Sequence, residues 1–400
     1  MPLPADEATR VLLYSHDSQG LGHVRRNLAL AHALAEQLPR LTGRPVTGLL
    51  LTGVSGPAHD LPEGFDVVHL PGVSKGHGGY RPRRVSVPME DLLEVRGRML
   101  AAVIGGFRPD LVVVDRHAYG VDGELREGLR RLRQERPGAK VVLGLREVLD
   151  APEVAAREWA RLGHPLELRT VLDAVWVYGD PVVHDPRATG EIPVGLQDLV
   201  AFTGYLSAGR RWVPHEEPHP APYLLTMVGG GSDGADLCRA AVQAPVPPGF
   251  RHVVVTGPQM PDAQRREIAA TAGPQTQVVD SVPDGQASIR GASAIVAMAG
   301  YNTTCEIMNT SAPALLVPRE VPRREQLIRA TALAARGAVE VCRHTDLDPQ
   351  ALGRWFTGAV TRRQPRTGID LQGLRTVAHL AAELLPVPAA THQEVSVVAG

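Results

Sequence analysis

The chain has 400 residues, of which 44% are hydrophobic but only 4% aromatic, enough for two domains with largely aliphatic cores. A formal charge of −1, from 42 basic and 43 acidic side chains, excludes a general nucleic-acid binder, which needs a basic excess. Three scattered cysteines (Cys238, Cys305, Cys342), a polar N-terminus without signal-peptide character and no apolar run near the roughly 20 residues that span a bilayer point to a cytoplasmic protein with no transmembrane segment, any membrane contact being peripheral.

In chain order, short apolar runs alternate with longer amphipathic ones. Strands are expected at 11–15, 46–52, 67–70, 111–115, 141–145 and 174–178, with helices at 24–38, 89–105, 123–136 and 153–162. Such alternation means βαβ units on a parallel sheet. Residues 207–222 (SAGRRWVPHEEPHPAP) are rich in proline and charge and read as a linker, in which His215 and His219 are solvated rather than metal ligands. The alternation then restarts, with strands at 223–228, 252–256, 277–280, 294–298 and 314–318 and helices at 233–242, 263–271, 301–310, 323–336 and 349–360. The expected organisation is an α/β domain at 1–206, a linker at 207–222, a second α/β domain at 223–370, a last helix at 371–385 and a flexible tail at 386–400.

Four strand-to-helix turns carry chemistry. The first, SHDSQGLGHVRRN, sets Asp17, Gly22 and His23 beside a helix start, where backbone N–H groups and the helix dipole face an anion or a reacting group. It is not a dinucleotide fingerprint, because Arg25 holds the third glycine position and no acid ends the second strand. The second, VGGGSDGAD, has phosphate-cradling character at Gly229, Gly230, Gly231 and Ser232, without the Lys-Ser/Thr of a nucleotide-triphosphate loop. The third, MAGYNTTCE, offers Asn302 and Thr303 to phosphate or sugar oxygens and Glu306 to a pair of ribose hydroxyls. The fourth, PALLVPREVPRREQLIRA, places Glu325 and Gln326 at a strand's carboxyl edge, where open α/β sheets bind ligands.

In order and spacing, GGGSDGAD, VVDSVPD (278–284), AGYNTTCE and PALLVPR…REQLIRA resemble the donor domain of glycosyltransferase family 28. Over about residues 10–385 the chain also resembles a group of bacterial glycosyltransferases that share SHDxxGLGHxRRN, VVD-x-H (113–117), LGLR-acid-xLD (143–150) and VYGD-P (177–181). The resemblance implies the GT-B fold, two Rossmann-like parallel-sheet domains facing across a cleft. It implies an inverting, metal-independent transfer from a nucleoside-diphosphate sugar, UDP foremost, with no cofactor. By resemblance Gly229–Ser232 hold the diphosphate, Ser281 and Val282 face the base, Glu306 takes the ribose, and Glu325 and Gln326 read the sugar. His23 is the expected general base, with Asp17 or Asp115 orienting it or competing for the role, and Arg210 or Arg211 steadies the leaving group. Arg146 and Glu147 stand where the family carries a His-Glu pair on the acceptor side. No isolated Asp-x-Asp metal motif lies in a suitable loop. The nonhydrolysing sugar-nucleotide 2-epimerases, which share the fold, and a non-catalytic sugar-nucleotide-binding module are the alternatives. Neither acceptor nor oligomeric state is written in the sequence.

Overall fold

A computed structural model describes residues 8–16, 21–54, 60–76, 79–211 and 222–386. Asp17, the linker histidines and the tail from 387 lie outside the described residues.

The first domain runs β1 (Thr9–Tyr14), α1 (Gly22–Thr42), β2 (Val46–Thr52), β3 (Phe65–His69), β4 (Val73–Gly76), β5 (Gly79–Pro82), α2 (Met89–Phe107), β6 (Leu111–Asp115), α3 (Arg126–Glu135), β7 (Lys140–Arg146), α4 (Pro152–Leu162), α5 (Pro165–Arg169), β8 (Ala174–Tyr178) and β9 (Val200–Phe202). Its seven-stranded sheet has the order β3-β2-β1-β6-β7-β8-β9 and is parallel throughout. The second domain runs β10 (Tyr223–Met227), α6 (Ala235–Gln243), β11 (Arg251–Val255), α7 (Asp262–Ala270), β12 (Thr276–Val279), α8 (Gly285–Gly291), β13 (Ala294–Ala297), α9 (Tyr301–Met308), β14 (Ala314–Leu316), α10 (Glu325–Ala335), β15 (Glu340–Val341), α11 (Pro349–Ala359) and α12 (Gly373–Leu384). Its six parallel strands are ordered β12-β11-β10-β13-β14-β15.

Both sheets reverse direction beside their first strand, between β1 and β6 and between β10 and β13. Loops leaving the carboxyl ends of such a pair splay to opposite faces and open a crevice. Three of the four polar turns follow strands of these pairs, β1, β10 and β13, and the fourth follows the adjacent β14, so all four gather at the carboxyl edges of the sheets. The inner strands β6, β8, β10 and β13 are buried on both faces, as strands inside a parallel sheet must be. In β1, Val11 and Leu13 join the cluster under α1, while Leu12 and Tyr14 join the one under α2 and α3.

The sequence showed no hairpin, yet β4 and β5 pair antiparallel, Val73 opposite Pro82. The short polar runs there lack the apolar alternation that marks a strand. The linker also begins later than expected. Ser207 is fully buried, its hydroxyl donating to the Cys305 carbonyl at 2.6 Å, and Arg210 is packed against α9. Only the proline-rich stretch beyond Arg211 lies outside the described residues. The last helix, α12, returns to the first domain: Leu374, Val377, Ala378 and Ala381 share one apolar cluster with Leu30, Leu34 and Leu38 of α1. Among the described residues no helix is long and apolar enough to cross a membrane.

A buried ion pair joins the two domains. Arg329 of α10 donates through Nε and Nη2 to the two carboxylate oxygens of Glu147, at 2.7 and 3.0 Å, and through Nη1 to the Ala299 carbonyl at 3.0 Å; neither charged side chain is exposed. Glu147, expected on the acceptor side, is thus engaged within the protein. Its carboxylate is consumed by a cation from the other domain, which sequence adjacency to Arg146 does not reveal. Removing one member strands the other charge in a dry site. Glu147→Ala is expected to lower unfolding free energy by about 3–5 kcal/mol in urea titrations, and Glu147→Ala with Arg329→Met to recover part of it.

Candidate functional site

At the first switch point, His23 stands in the opening turn of α1 and Asp115 closes β6. The His23 Nδ1 pairs with Asp115 Oδ2, and Asp115 Oδ1 accepts from Arg26 Nη2. Arg26 Nη2 also lies 3.0 Å from Nδ1, but an ionised carboxylate only accepts and Asp115 is the closer partner, which favours the proton on Nδ1 and the lone pair on Nε2. Burial opposes ionisation of Asp115, but Arg26 and His23 outweigh it and hold the carboxyl well below the usual range. Burial lowers the His23 pKa, with Asp115 pulling it back up. The result is a neutral imidazole with one basic nitrogen, fixed in orientation by a permanent carboxylate. Of the two carboxylates that the sequence offered beside His23, Asp115 is in contact; Asp17 lies outside the described residues.

Arg26 was not expected here. Its guanidinium is 3% exposed and sits over the rings of Tyr178 (5.9 Å) and Tyr301 (5.6 Å), the second belonging to the other domain. A signal existed in the sequence. Arg26, Leu30, Leu34 and Leu38 form an i, i+4 series, all buried, so an arginine occupies the apolar stripe of α1. His16 and His117, which lie in the quoted motifs but were assigned no role, also stand here. The His16 ring lies 4.8 Å from His117 and 5.8 Å from His23, centroid to centroid, and its Nε2 shares a hydrogen bond with the Tyr80 hydroxyl at 2.9 Å. Arg116, between Asp115 and His117, takes a left-handed φ of 73°, a strained conformation for a long side chain of the sort that clusters at working sites.

Across the cleft, the glycine loop follows β10. Gly229 and Gly230 are exposed, with backbone open to the cleft. Gly231 is buried for another reason: at φ 93° a Cβ would stand 2.2 Å from the Thr256 carbonyl, so packing on the end of β11 excludes any side chain. Ser232 is exposed beside them, and Ser281 and Val282 lie just past β12. Asn302, Thr303 and Glu306 are buried in α9. Asn302 Nδ2 donates to the Gly22 carbonyl at 2.7 Å, so the first turn of the family motif touches the His23 turn directly. Arg210 is tied to Asn302 Oδ1 at 3.0 Å and lies 3.5 Å from Glu306 Oε1.

Glu306 is only half free. Its Oε1 accepts from Arg25 Nη2 at 2.6 Å, while Oε2 is buried without a partner. Glu325 repeats the pattern: Oε1 pairs with Arg319, and Oε2 is buried and unpartnered. Arg319 also bonds Asp233 at 2.9 Å, and its backbone N–H donates to Gln326 Oε1 at 3.1 Å, which leaves the Gln326 amide nitrogen as a donor. Buried acceptors left empty are rare in folded proteins and ask for a ligand or a water. Among the described residues no group of three or more His, Cys, Asp or Glu side chains is placed to hold a metal ion.

Burial keeps the cleft histidines neutral. It lowers the pKa of His16 and of His23, and it pushes His117 down to about 3, with Arg116 adding to the shift. Unfolded histidines take up protons below about pH 6.5 whereas these do not, so stability is full above that pH and falls as pH drops toward the folded values. Melting temperature is expected to decline from about pH 6.5 downward, and His117→Gln to flatten the decline while changing the unfolding free energy at neutral pH by no more than about 1 kcal/mol.

Comparison with known proteins bears on this arrangement. Residues 225–363 match the glycosyltransferase family 28 C-terminal domain. Over 141 residues the chain is 30% identical to the UDP-N-acetylglucosamine–N-acetylmuramyl-(pentapeptide) pyrophosphoryl-undecaprenol N-acetylglucosamine transferase of Brucella suis, covering 34% of this chain and 37% of that protein. The chain thus spans little more than a third of the curated relatives it matches. Among solved structures it resembles Acinetobacter baumannii MurG, with a TM-score of 0.50 and 19% identity over 95% of this chain and 96% of that one. It also resembles a putative UDP-N-acetylglucosamine 2-epimerase from Listeria monocytogenes, with a TM-score of 0.59 and 11% identity over 94% and 96%. At these identities the likeness is one of fold. The chain has the GT-B fold, and residues 225–363 of it match the glycosyltransferase family 28 C-terminal domain.

Proposed function

We propose that the protein is an inverting, metal-independent glycosyltransferase that moves a sugar from a nucleoside diphosphate, UDP foremost, to an acceptor hydroxyl. The observation that carries this reading is the His23–Asp115 pair seated against the family 28 helix α9. In the reaction, His23 Nε2 takes the acceptor's hydroxyl proton as that oxygen attacks the anomeric carbon. The new C–O bond forms as the bond to the diphosphate oxygen breaks on the opposite face, and the nucleoside diphosphate departs with the bonding pair. Asp115 stabilises the imidazolium that results, and Arg26 keeps Asp115 ionised.

On the donor side, the open backbone at Gly229 and Gly230 and the first turn of α9, with Asn302 and Thr303, receive the diphosphate. Ser281 and Val282 flank the base. The empty Oε2 of Glu306 accepts a ribose hydroxyl. Sugar hydroxyls meet the empty Oε2 of Glu325 and the amide nitrogen of Gln326. Arg25 and Arg210, beside Glu306, are positioned to meet charge on the leaving group once donor displaces their present contacts.

Calorimetry with UDP in EDTA-containing buffer should show binding that Glu306→Ala removes. With a turned-over donor and acceptor pair, His23→Ala should reduce kcat by about 10²–10⁴-fold while UDP affinity stays within about twofold. Conversion of UDP-N-acetylglucosamine to a second sugar nucleotide without any acceptor would instead identify an epimerase. Loss of binding or turnover in EDTA would end the metal-independent reading.

A further inference from the structure

Among the described residues, one cation in the cleft forms no ion pair. Arg146 ends β7 at the carboxyl edge of the first sheet. Among the described residues its guanidinium makes no hydrogen bond and no ion pair, although it is partly enclosed by protein. The arginines nearby are all engaged: Arg26 with Asp115, Arg116 with Glu158 at 3.7 Å, Arg319 with Asp233 and Glu325, Arg323 with Asp150 at 3.1 Å, and Arg329 with Glu147. Burial weighs most against its charge, and Arg116, Arg329 and Arg26 add repulsion; Glu325, already bound to Arg319, offsets only part of this, and the pKa is pushed down to about 9.

Arg146 also lines a pocket between the β6–β7 edge and α4. Asp115, Arg116 and His117 form one side, Leu149 and Trp159 form an apolar wall, and Glu158 also lines it, its carboxylate already engaged by Arg116 and Arg323. A partly desolvated cation in a cationic neighbourhood is destabilising, whereas the same group facing an anion forms two parallel charge-assisted hydrogen bonds through its planar fork.

We propose that Arg146 is the seat for an anionic group, carboxylate or phosphate oxygens, that a substrate carries into this pocket. The anion arrives either on the acceptor, whose apolar part lies against Trp159 and Leu149, or on the donor. This deepens the transferase reading, but the test reads anion binding and not transfer, so the two can fail separately.

The full chain and its Arg146→Met and Arg146→Lys variants are melted with increasing inorganic phosphate at constant ionic strength, which holds general screening fixed. Without phosphate, Arg146→Met should melt at or above the unaltered protein, because methylene replaces an unpaired charge. Its half-saturating phosphate concentration should rise roughly tenfold or more, with Arg146→Lys in between, since it keeps the charge but loses the fork. Repeating the titration in saturating UDP distinguishes the sources. A phosphate response that persists and still depends on Arg146 assigns the anion to the acceptor. A response that UDP abolishes, with UDP bound more weakly by Arg146→Met, assigns it to the donor. If Arg146→Met melts lower without phosphate and all three proteins respond alike to it, Arg146 is a structural residue and the proposal is overturned.

Discussion

The buried carboxylate of Asp115 is the constraint on which the cleft depends. It ends a strand that is covered on both faces, 2% exposed, and it cannot stay ionised there without Arg26 and His23. Meeting that requirement sets the His23 ring, its tautomer and the start of α1 together. The same arginine reaches over Tyr301, and Arg329 lies at an equal 5.6 Å from that ring. Tyr301 thus links the His23–Asp115 pair to the Glu147–Arg329 clamp, so His23 and the domain contact belong to one electrostatic assembly.

The surface between the domains is held largely by charge. Arg323 meets Asp150 and Glu158, Arg25 meets Glu306, and Asn302 meets the Gly22 carbonyl. Contacts of this kind are directional, and those with exposed members exchange readily with water, unlike a large apolar seam. The apolar continuity lies elsewhere, where α12 covers α1. That division leaves a firm hinge side and a polar mouth whose groups have alternative partners. Glu306 shows this at one residue: one oxygen is spent on the opposite domain and the other is kept empty.

Much of the fold could be read before any coordinates. Runs such as LVVVD and AVWVY are continuous because parallel strands are buried on both sides, and they appear where expected, at Leu111–Asp115 and Ala174–Tyr178. The glycine loop and the first turn of α9 were legible from residue type, since open backbone and small polar side chains at a helix start have few structural reasons to occur together. The hairpin of β4 and β5 was not, because its polar residues carry no period.

Periodicity, composition and local turn chemistry therefore determined two parallel α/β domains, the strand ends that bear the site, and His23 as a residue worth attention. These are properties of a segment and its near neighbours. Only the tertiary structure decided which carboxylate pairs with His23, that Arg26 guards it, that Glu147 belongs to Arg329, and that Arg146 has no partner among the described residues. The three pairings among these join residues about 90 to 180 positions apart. Opposite charges are abundant along the chain, and a charge's partner follows from which strand ends the two sheets bring together in space.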